Sequence, residues 1–442
     1  MLFLVILILL FLAILDASFS SFLISSGMYI LGVIVVLIYQ RENRKKCFLL
    51  YNIIFSVYLL LTFLVSISFS EVDWFLVFDP SNYIDYFLNS TEQFWLKDDI
   101  FKCYFEFADN NALHNAYLNA VAVFINKNLG GLTVYGLTLF QTIFGVLSSI
   151  VLFGILARRF DKNRAFNYTL FFALSSLFLF YSTVIIRDII ICFLYLLAFN
   201  IVDQKFTLSG VIKLIIIIVI TWGVRLYSGI FLFVFLGYYI YIRMRNSKFR
   251  NFANIFFILL LIIVGGYIFT TDLFVQTTEE LNFYAELTTE RSEGGLTSKL
   301  QTLPPGISHL TIVLFSMIRP LPPFSIYIGV ETFSHFLMST MFLVAGFFWF
   351  VIFYSLCCQL FFSKYIFKIS VEKIVLLLLC LVFMLVNAMH PDIRRMLPVF
   401  PILFVQFLEI CKAKNVTLFG SELSKALMIL YIVMAFGMLV IM

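Results

Sequence analysis

Apolar runs of about 20 residues, the length needed to cross roughly 30 Å of hydrocarbon, recur along nearly the whole of this 442-residue chain. A soluble fold cannot hide so many of them. Charged residues make up 12% of the chain, about half of what a soluble domain carries, too few to cover a globular surface. Lipid offers backbone groups no hydrogen-bond partner, so a spanning segment must be a helix or part of a closed barrel, and runs of this length select the helix. The sequence therefore predicts an all-α polytopic integral membrane protein with one transmembrane domain over residues 1–442. The first run, Met1 to Ile14, has neither a basic leader nor a small-residue cleavage site. It reads as a retained first helix.

Basic clusters punctuate the runs at Arg41–Lys46, Arg158–Arg164, Arg243–Arg250, Lys364–Lys373 and Lys412–Lys425. The positive-inside rule assigns all five to the cytoplasm. With that anchor the spans alternate without conflict at 2–15, 20–40, 47–69, 131–157, 166–183, 184–202, 208–223, 226–242, 252–270, 331–358, 372–388, 396–411 and 423–442. This gives about thirteen transmembrane helices, within a range of eleven to fourteen. Two long polar segments, 70–130 and 271–330, then fall on the outer, periplasmic side. Each ends in a moderately apolar stretch, Ala112–Ile125 and Thr311–Val330, expected as interfacial or re-entrant helices. No internal repeat is visible, which disfavours repeat-built transporter folds. Of the seven cysteines only Cys103 falls in a polar loop, so no disulfide framework is implied.

On this topology the outer loops carry an acidic excess, and the arginines among them need a reason. Arg187, Arg225, Arg319, Arg394 and Arg395 all stand at the mouth of an apolar span. A charge there costs about 2.5–3.5 kcal/mol if it penetrates to mid-helix. Arg187-Asp188 and Arg225 lie in hairpins with almost no loop, Arg319-Pro320 on a proline-stiffened turn, and Arg394-Arg395 in the short loop that begins Asn387-Ala388-Met389-His390-Pro391-Asp392. Guanidinium groups recognise phosphate bidentately and stay charged, so a lipid pyrophosphate at the outer interface fits them. The alternative is internal pairing, Arg187 with Asp188 and Arg394 or Arg395 with Asp392, while the others snorkel to headgroups.

The first outer segment adds carboxylates interleaved with aromatics, among them Asp79 and Asp85 beside Trp74, Phe78, Tyr83 and Tyr86. Asp79 before Pro80 suits a helix start. It equally suits a general base for a sugar hydroxyl. His390 and Asp392 are a second candidate base or phosphate ligand, whereas His114, His309 and His335 read as isolated. No spacing of metal ligands occurs, and no glycine-rich phosphate loop or cytosolic nucleotide domain is present, which excludes an energy-coupled ATPase.

The polar first outer loop with Asp-x(3)-Tyr (Asp79 to Tyr83), the Arg187-Asp188 pair in a tight outer hairpin, and a late outer loop with Asp and Arg together resemble Wzy-type O-antigen and related polysaccharide repeat-unit polymerases, which are GT-C-related membrane glycosyltransferases. The resemblance implies a GT-C-like fold in the bacterial inner membrane with a periplasmic active face. It implies metal-independent polymerisation of undecaprenyl-pyrophosphate-linked repeat units, with no cofactor, no nucleotide sugar and no nucleic acid. Membrane lipid, a chain-length regulator and a flippase are the partners it suggests. Arg187, Arg225, Arg319, Arg394 and Arg395 would then hold the pyrophosphate, and Asp79, Asp85, His390 or Asp392 would supply the acceptor's base. The chain departs from the commoner layout in splitting its outer material between two segments, so which of them carries the catalytic residue stays open. Two alternatives remain: a GT-C transferase using a polyprenyl monophosphate sugar, for which Asp79 is the expected base, and a lipid-linked oligosaccharide flippase or transporter. Spans that read as clean except at their outer ends argue against alternating access.

Overall fold

A computed structural model of the chain describes residues 2–39, 43–67, 79–92, 104, 112–205, 207–244, scattered positions in 251–266, 300, 303–304, 307–320, 325–327, 332–362, 371–387 and 393–441. Every described element is helical. In chain order these are α1 (Leu2–Leu15), α2 (Phe19–Tyr39), α3 (Arg44–Ser66), α4 (Asp79–Phe87), α5 (Ala112–Asn128), α6 (Val134–Ala157), α7 (Lys162–Ser175), α8 (Leu177–Ser182), α9 (Asp188–Val202), α10 (Leu208–Val224) and α11 (Leu226–Met244). There follow α12 (Ile307–Ser316), a 3-10 turn at Ser325–Tyr327, α13 (Phe333–Phe362), α14 (Val371–Asn387), a 3-10 helix at Ile393–Val399, α15 (Phe400–Ala413) and α16 (Glu422–Ile441).

Among the described residues, five helical segments are long and apolar enough to cross a membrane: Phe19–Tyr39, Arg44–Ser66, Val134–Ala157, Phe333–Gln359 and Ile393–Ala413. Five more apolar helices are shorter, at 10–17 residues. The chain is thus a helical, membrane-embedded protein. The expected span 252–270 and the outer segment after it lie mostly outside the described residues.

Contacts divide the chain into two compact units. The first comprises Met1–Asn200, Val219–Leu226 and Pro323–Phe348. Its centre is α6, packed on α2, α3 and α7. A helix that is apolar all round belongs in an interior, and α6 also carries the small and hydroxyl residues that let membrane helices approach closely. An added Cβ at Gly145 would collide with Ser182. Thr62 and Thr142 share a hydrogen bond of 3.0 Å, and the Tyr58 hydroxyl donates to the Ala173 carbonyl at 2.9 Å. The second unit comprises Ile201–Ile218, Tyr227–Pro322 and Trp349–Met442. There α14 packs on α12, on α15 and on the 3-10 helix. The Trp349 ring stacks on Phe400 at 3.8 Å, and Phe231 meets Phe383 edge-on at 5.2 Å.

Contacts between helix ends pair like with like. In the first unit Asp16 accepts from Ser21 and, at 2.8 Å, from Thr133, while Ser334 donates to the Leu64 carbonyl at 2.7 Å. All of these are expected outer ends. Lys46 bonds Asn163, and Arg158 donates to Asn200 at 2.7 Å, joining expected inner ends. In the second unit Tyr238 donates to the Glu372 carbonyl at 2.7 Å and Lys373 pairs with Glu409 at 2.6 Å, again at inner ends.

The sequence-based expectation fails in one span. Residues 166–183 are not one helix: Ser176 is extended (φ −116°, ψ 164°), and its hydroxyl accepts from the Phe178 amide at 3.2 Å to begin α8. A serine side chain that satisfies a helix-start amide stabilises the break. The break falls at the Ser175-Ser176 pair, the kind of sequence at which sharp helix kinks concentrate.

Candidate functional site

The first unit contains a buried charged cluster assembled from separate helices. Asp188 opens α9, where the helix dipole favours a negative charge. Arg225 lies between α10 and α11, its amide still bonded to the Thr221 carbonyl at 2.8 Å. The two side chains meet at 2.7 Å between Arg225 Nη1 and Asp188 Oδ1. Relative exposures are 5% for Arg225 and 1% for Asp188. The contact is one of charge more than of an aligned hydrogen bond. Asp188 thus finds a partner in the next outer hairpin, a link that pairing with its neighbour Arg187 does not anticipate.

His114 joins this cluster, which corrects its reading as an isolated residue. It sits in α5, which is not among the spanning helices, and the short connection 129–133 makes α5 an antiparallel neighbour of α6. The His114 ring is 1% exposed and lies 2.6 Å from the Gln141 side-chain nitrogen, Nε2 to Nε2. Two arrangements satisfy this contact. Either the amide donates to a bare Nε2, or the amide is turned over and its oxygen, otherwise unpartnered, accepts from Nε2–H. His114 Nδ1 is buried with no hydrogen-bond partner. Burial above all, and then the positive charge of Arg187, pushes the His114 pKa down to about 3, with Asp188 opposing and Arg225 adding to the fall. The imidazole is therefore neutral at physiological pH.

Tyr83 packs edge-on against His114 at 5.0 Å between ring centroids, which seats α4 on α5. Asn126 of α5 holds the end of α4 by donating to the Leu88 and Ser90 carbonyls at 3.0 and 2.9 Å. Asp79 is the first residue of α4, and Asp85 in the same helix is exposed. Gln141 lies seven residues into α6, roughly 10 Å along it at 1.5 Å per residue, so the cluster is recessed below that helix's outer end.

The remaining candidates belong to the second unit or lie outside the described residues. Arg319 follows α12 and lies over the Phe315 ring at 5.6 Å. Arg394 and Arg395 are half-buried in the 3-10 helix that precedes α15. Trp349 connects the two turns by donating to the Met317 sulfur at 2.9 Å and stacking on Phe400. His390 and Asp392 lie outside the described residues. Among the described residues no group of three or more His, Cys, Asp or Glu is placed to hold a metal ion. Sequence reasoning missed His114 and Gln141, whose only sequence signal is a polar residue on each of two otherwise apolar stretches. No protein-family model, curated protein or solved structure matches the chain.

Proposed function

We propose that this protein polymerises polyprenyl-pyrophosphate-linked oligosaccharide repeat units at the outer membrane interface, as a metal-independent glycosyltransferase of about thirteen spans with a GT-C-like fold. The observation that carries the reading is the meeting of Arg187, Arg225, Asp188 and a neutral His114 in one recessed cluster. Such a cluster suits a bound pyrophosphate. Guanidinium groups fixed before the reaction stabilise the negative charge that develops on the departing pyrophosphate, typically the largest single catalytic contribution. Asp79, at the start of α4, is with Asp85, His390 and Asp392 a candidate to take the proton of the acceptor sugar's hydroxyl. A phosphate beside His114 favours its charged form, so substrate binding would raise its proton affinity from a low starting point.

Deleting the gene and separating the surface glycan by size tests this reading. Single repeat units in place of long chains are expected, with long chains restored by the wild-type gene and not by Arg187→Ala or Asp79→Asn. Unaltered long chains in the deletion strain overturn it. If Asp79→Ala abolishes transfer while Arg394→Ala is tolerated, a transferase using a polyprenyl monophosphate sugar is the better reading. A flippase is favoured by one observation, the broken helix at Ser176, since discontinuous helices mark transporter sites. Liposomes with lipid-linked repeat unit separate the two: translocation without chain extension selects the flippase.

A further inference from the structure

In the first unit two helix stripes face each other across an apolar groove of about 530 Å³. Leu23, Gly27 and Leu31 of α2 line one wall, and Tyr117, Val121 and Phe124 of α5 line the other. Side chains three or four residues apart lie in a row along a helix, so the groove is a slot that follows both axes. Its mouth is polar. There the Ser20 hydroxyl donates to the Gly131 carbonyl at 2.5 Å and Thr133 donates to Asp16 at 2.8 Å, which brings the start of α2 level with the end of α5. From Leu23 to Leu31 the slot runs roughly 12 Å down α2, at 1.5 Å per residue. One leaflet's hydrocarbon is of similar depth, roughly 15 Å, half of the whole core.

Leu31 and Phe124 are exposed, so the slot opens sideways, beside a helix long and apolar enough to span. Walls of hydrocarbon give water no partners. A partner's helix, about 10 Å across, would fill the volume with roughly one turn, which is too little to dock one. A slot about one leaflet deep that is open along its side matches a single extended acyl chain, with the head at the polar mouth and the chain directed into the bilayer. The mouth also indicates the head. Lys127, exposed in the last turn of α5, lies seven residues beyond Ala120 of the groove wall, and so within about 20° of it around the helix. An ammonium at headgroup level attracts a lipid phosphate. We propose that this groove holds one acyl chain of a phospholipid from the leaflet it faces, with the lipid's phosphate at Lys127. Because α5 is not among the spanning helices and packs on α4 and α6, the chain fills the side of α5 that faces α2 and steadies the helix that carries His114.

Gly27 provides the test. A Cβ added there meets nothing within 4 Å, so a larger side chain grows into the slot, and replacing a helix-interior glycine favours the helix. Purified wild type, Gly27→Leu, Val121→Trp and Lys127→Gln are titrated in detergent with phosphatidylglycerol and, separately, with a diacylglycerol of the same chains, and bound lipid is counted by native mass spectrometry. Wild type is expected to hold one tightly bound phosphatidylglycerol. The two groove variants should bind both lipids about tenfold more weakly, the loss that follows when roughly two methylenes are displaced, while keeping the wild-type melting temperature in lipid-free detergent. Lys127→Gln should bind phosphatidylglycerol about fivefold more weakly, the size of one basic residue's attraction for an anionic lipid surface, and diacylglycerol as wild type does. Wild-type affinity for phosphatidylglycerol in both groove variants overturns the proposal, as does an equal loss of the two lipids in Lys127→Gln. Competition by undecaprenyl pyrophosphate stronger than by phosphatidylglycerol overturns it in favour of the substrate's carrier, and a smaller oligomer in Gly27→Leu overturns it in favour of a second copy. The titration reads lipid binding alone, so its result stands whichever reaction the deletion strain assigns.

Discussion

The two units hold their arginines by different means. In the first, Arg225 is buried against the Asp188 carboxylate with His114 alongside. In the second, Arg319 lies over a phenyl ring, and the turns bearing Arg319 and Arg394-Arg395 are connected through the Trp349 ring and its two neighbours. A carboxylate fixes a guanidinium's position and cancels its charge. An aromatic face holds it more weakly, at about 0.5–2 kcal/mol depending on desolvation.

The comparison is broken most severely by removing one half of the buried ion pair. Arg225→Ala or Asp188→Ala is expected to cost about 3–5 kcal/mol, because each takes from a buried charge its partner at 2.7 Å. The double variant Arg225→Met/Asp188→Leu should lose much less, since replacing a buried pair by apolar residues of similar volume is often neutral or better. Denaturant unfolding in detergent measures all three. A double variant as unstable as the singles would mean that the pair acts through something other than uncompensated charge.

In the second unit the corresponding probe is Trp349. Trp349→Ala opens a cavity in a buried stack and is expected to cost about 3–5 kcal/mol, while Trp349→Phe keeps a ring against Phe400 and should cost less than half of that. If Phe at this position proves as damaging as Ala, the indole's contact with Met317 matters more than the stack does.

His114 sharpens the contrast through pH. Its folded pKa of about 3 lies below the roughly 6.5 of an unfolded histidine, so between these values the unfolded chain binds the extra proton. Stability from this group is complete above pH 6.5 and is lost as the pH falls toward 3. His114→Gln should flatten that part of the stability curve, as read by thermal melts across pH 4–7. An unchanged slope in the variant would assign the acid sensitivity to other groups.

Part of this architecture is legible in the sequence. The apolar runs mark helices among the described residues, and the hairpin at Arg187-Asp188 marks one edge of the candidate site. The buried pair itself is not legible, because Asp188 and Arg225 come from separate hairpins and nothing in either names the other. His114 escapes for the same reason: its partners Tyr83, Gln141 and Arg187 come from three different places in the chain. The break at Ser176 escapes for a different one. A hydrophobic run reads as a continuous helix, and a serine that bonds the backbone ahead of it leaves the hydropathy unchanged.

The smallest expected effect concerns the polar contacts that run through the first unit's core. Thr62 and Thr142 face each other at 3.0 Å, both buried. In water-soluble proteins a buried hydroxyl left unpaired costs about 1–3 kcal/mol. Hydrogen bonds between membrane helices average only about 0.6 kcal/mol, because the unfolded chain in the membrane also finds partners. Thr62 hydroxyls can also turn to their own helix, as Thr142 already does by donating to the Thr138 carbonyl at 3.1 Å. Thr142→Val should therefore cost about 0.6 kcal/mol, several-fold less than Arg225→Ala. A loss above about 2 kcal/mol would place the unit's stability in its hydroxyl contacts, and the distinction drawn above between a charge-fixed site and an aromatic-held one would then give way to a difference between polar and apolar cores.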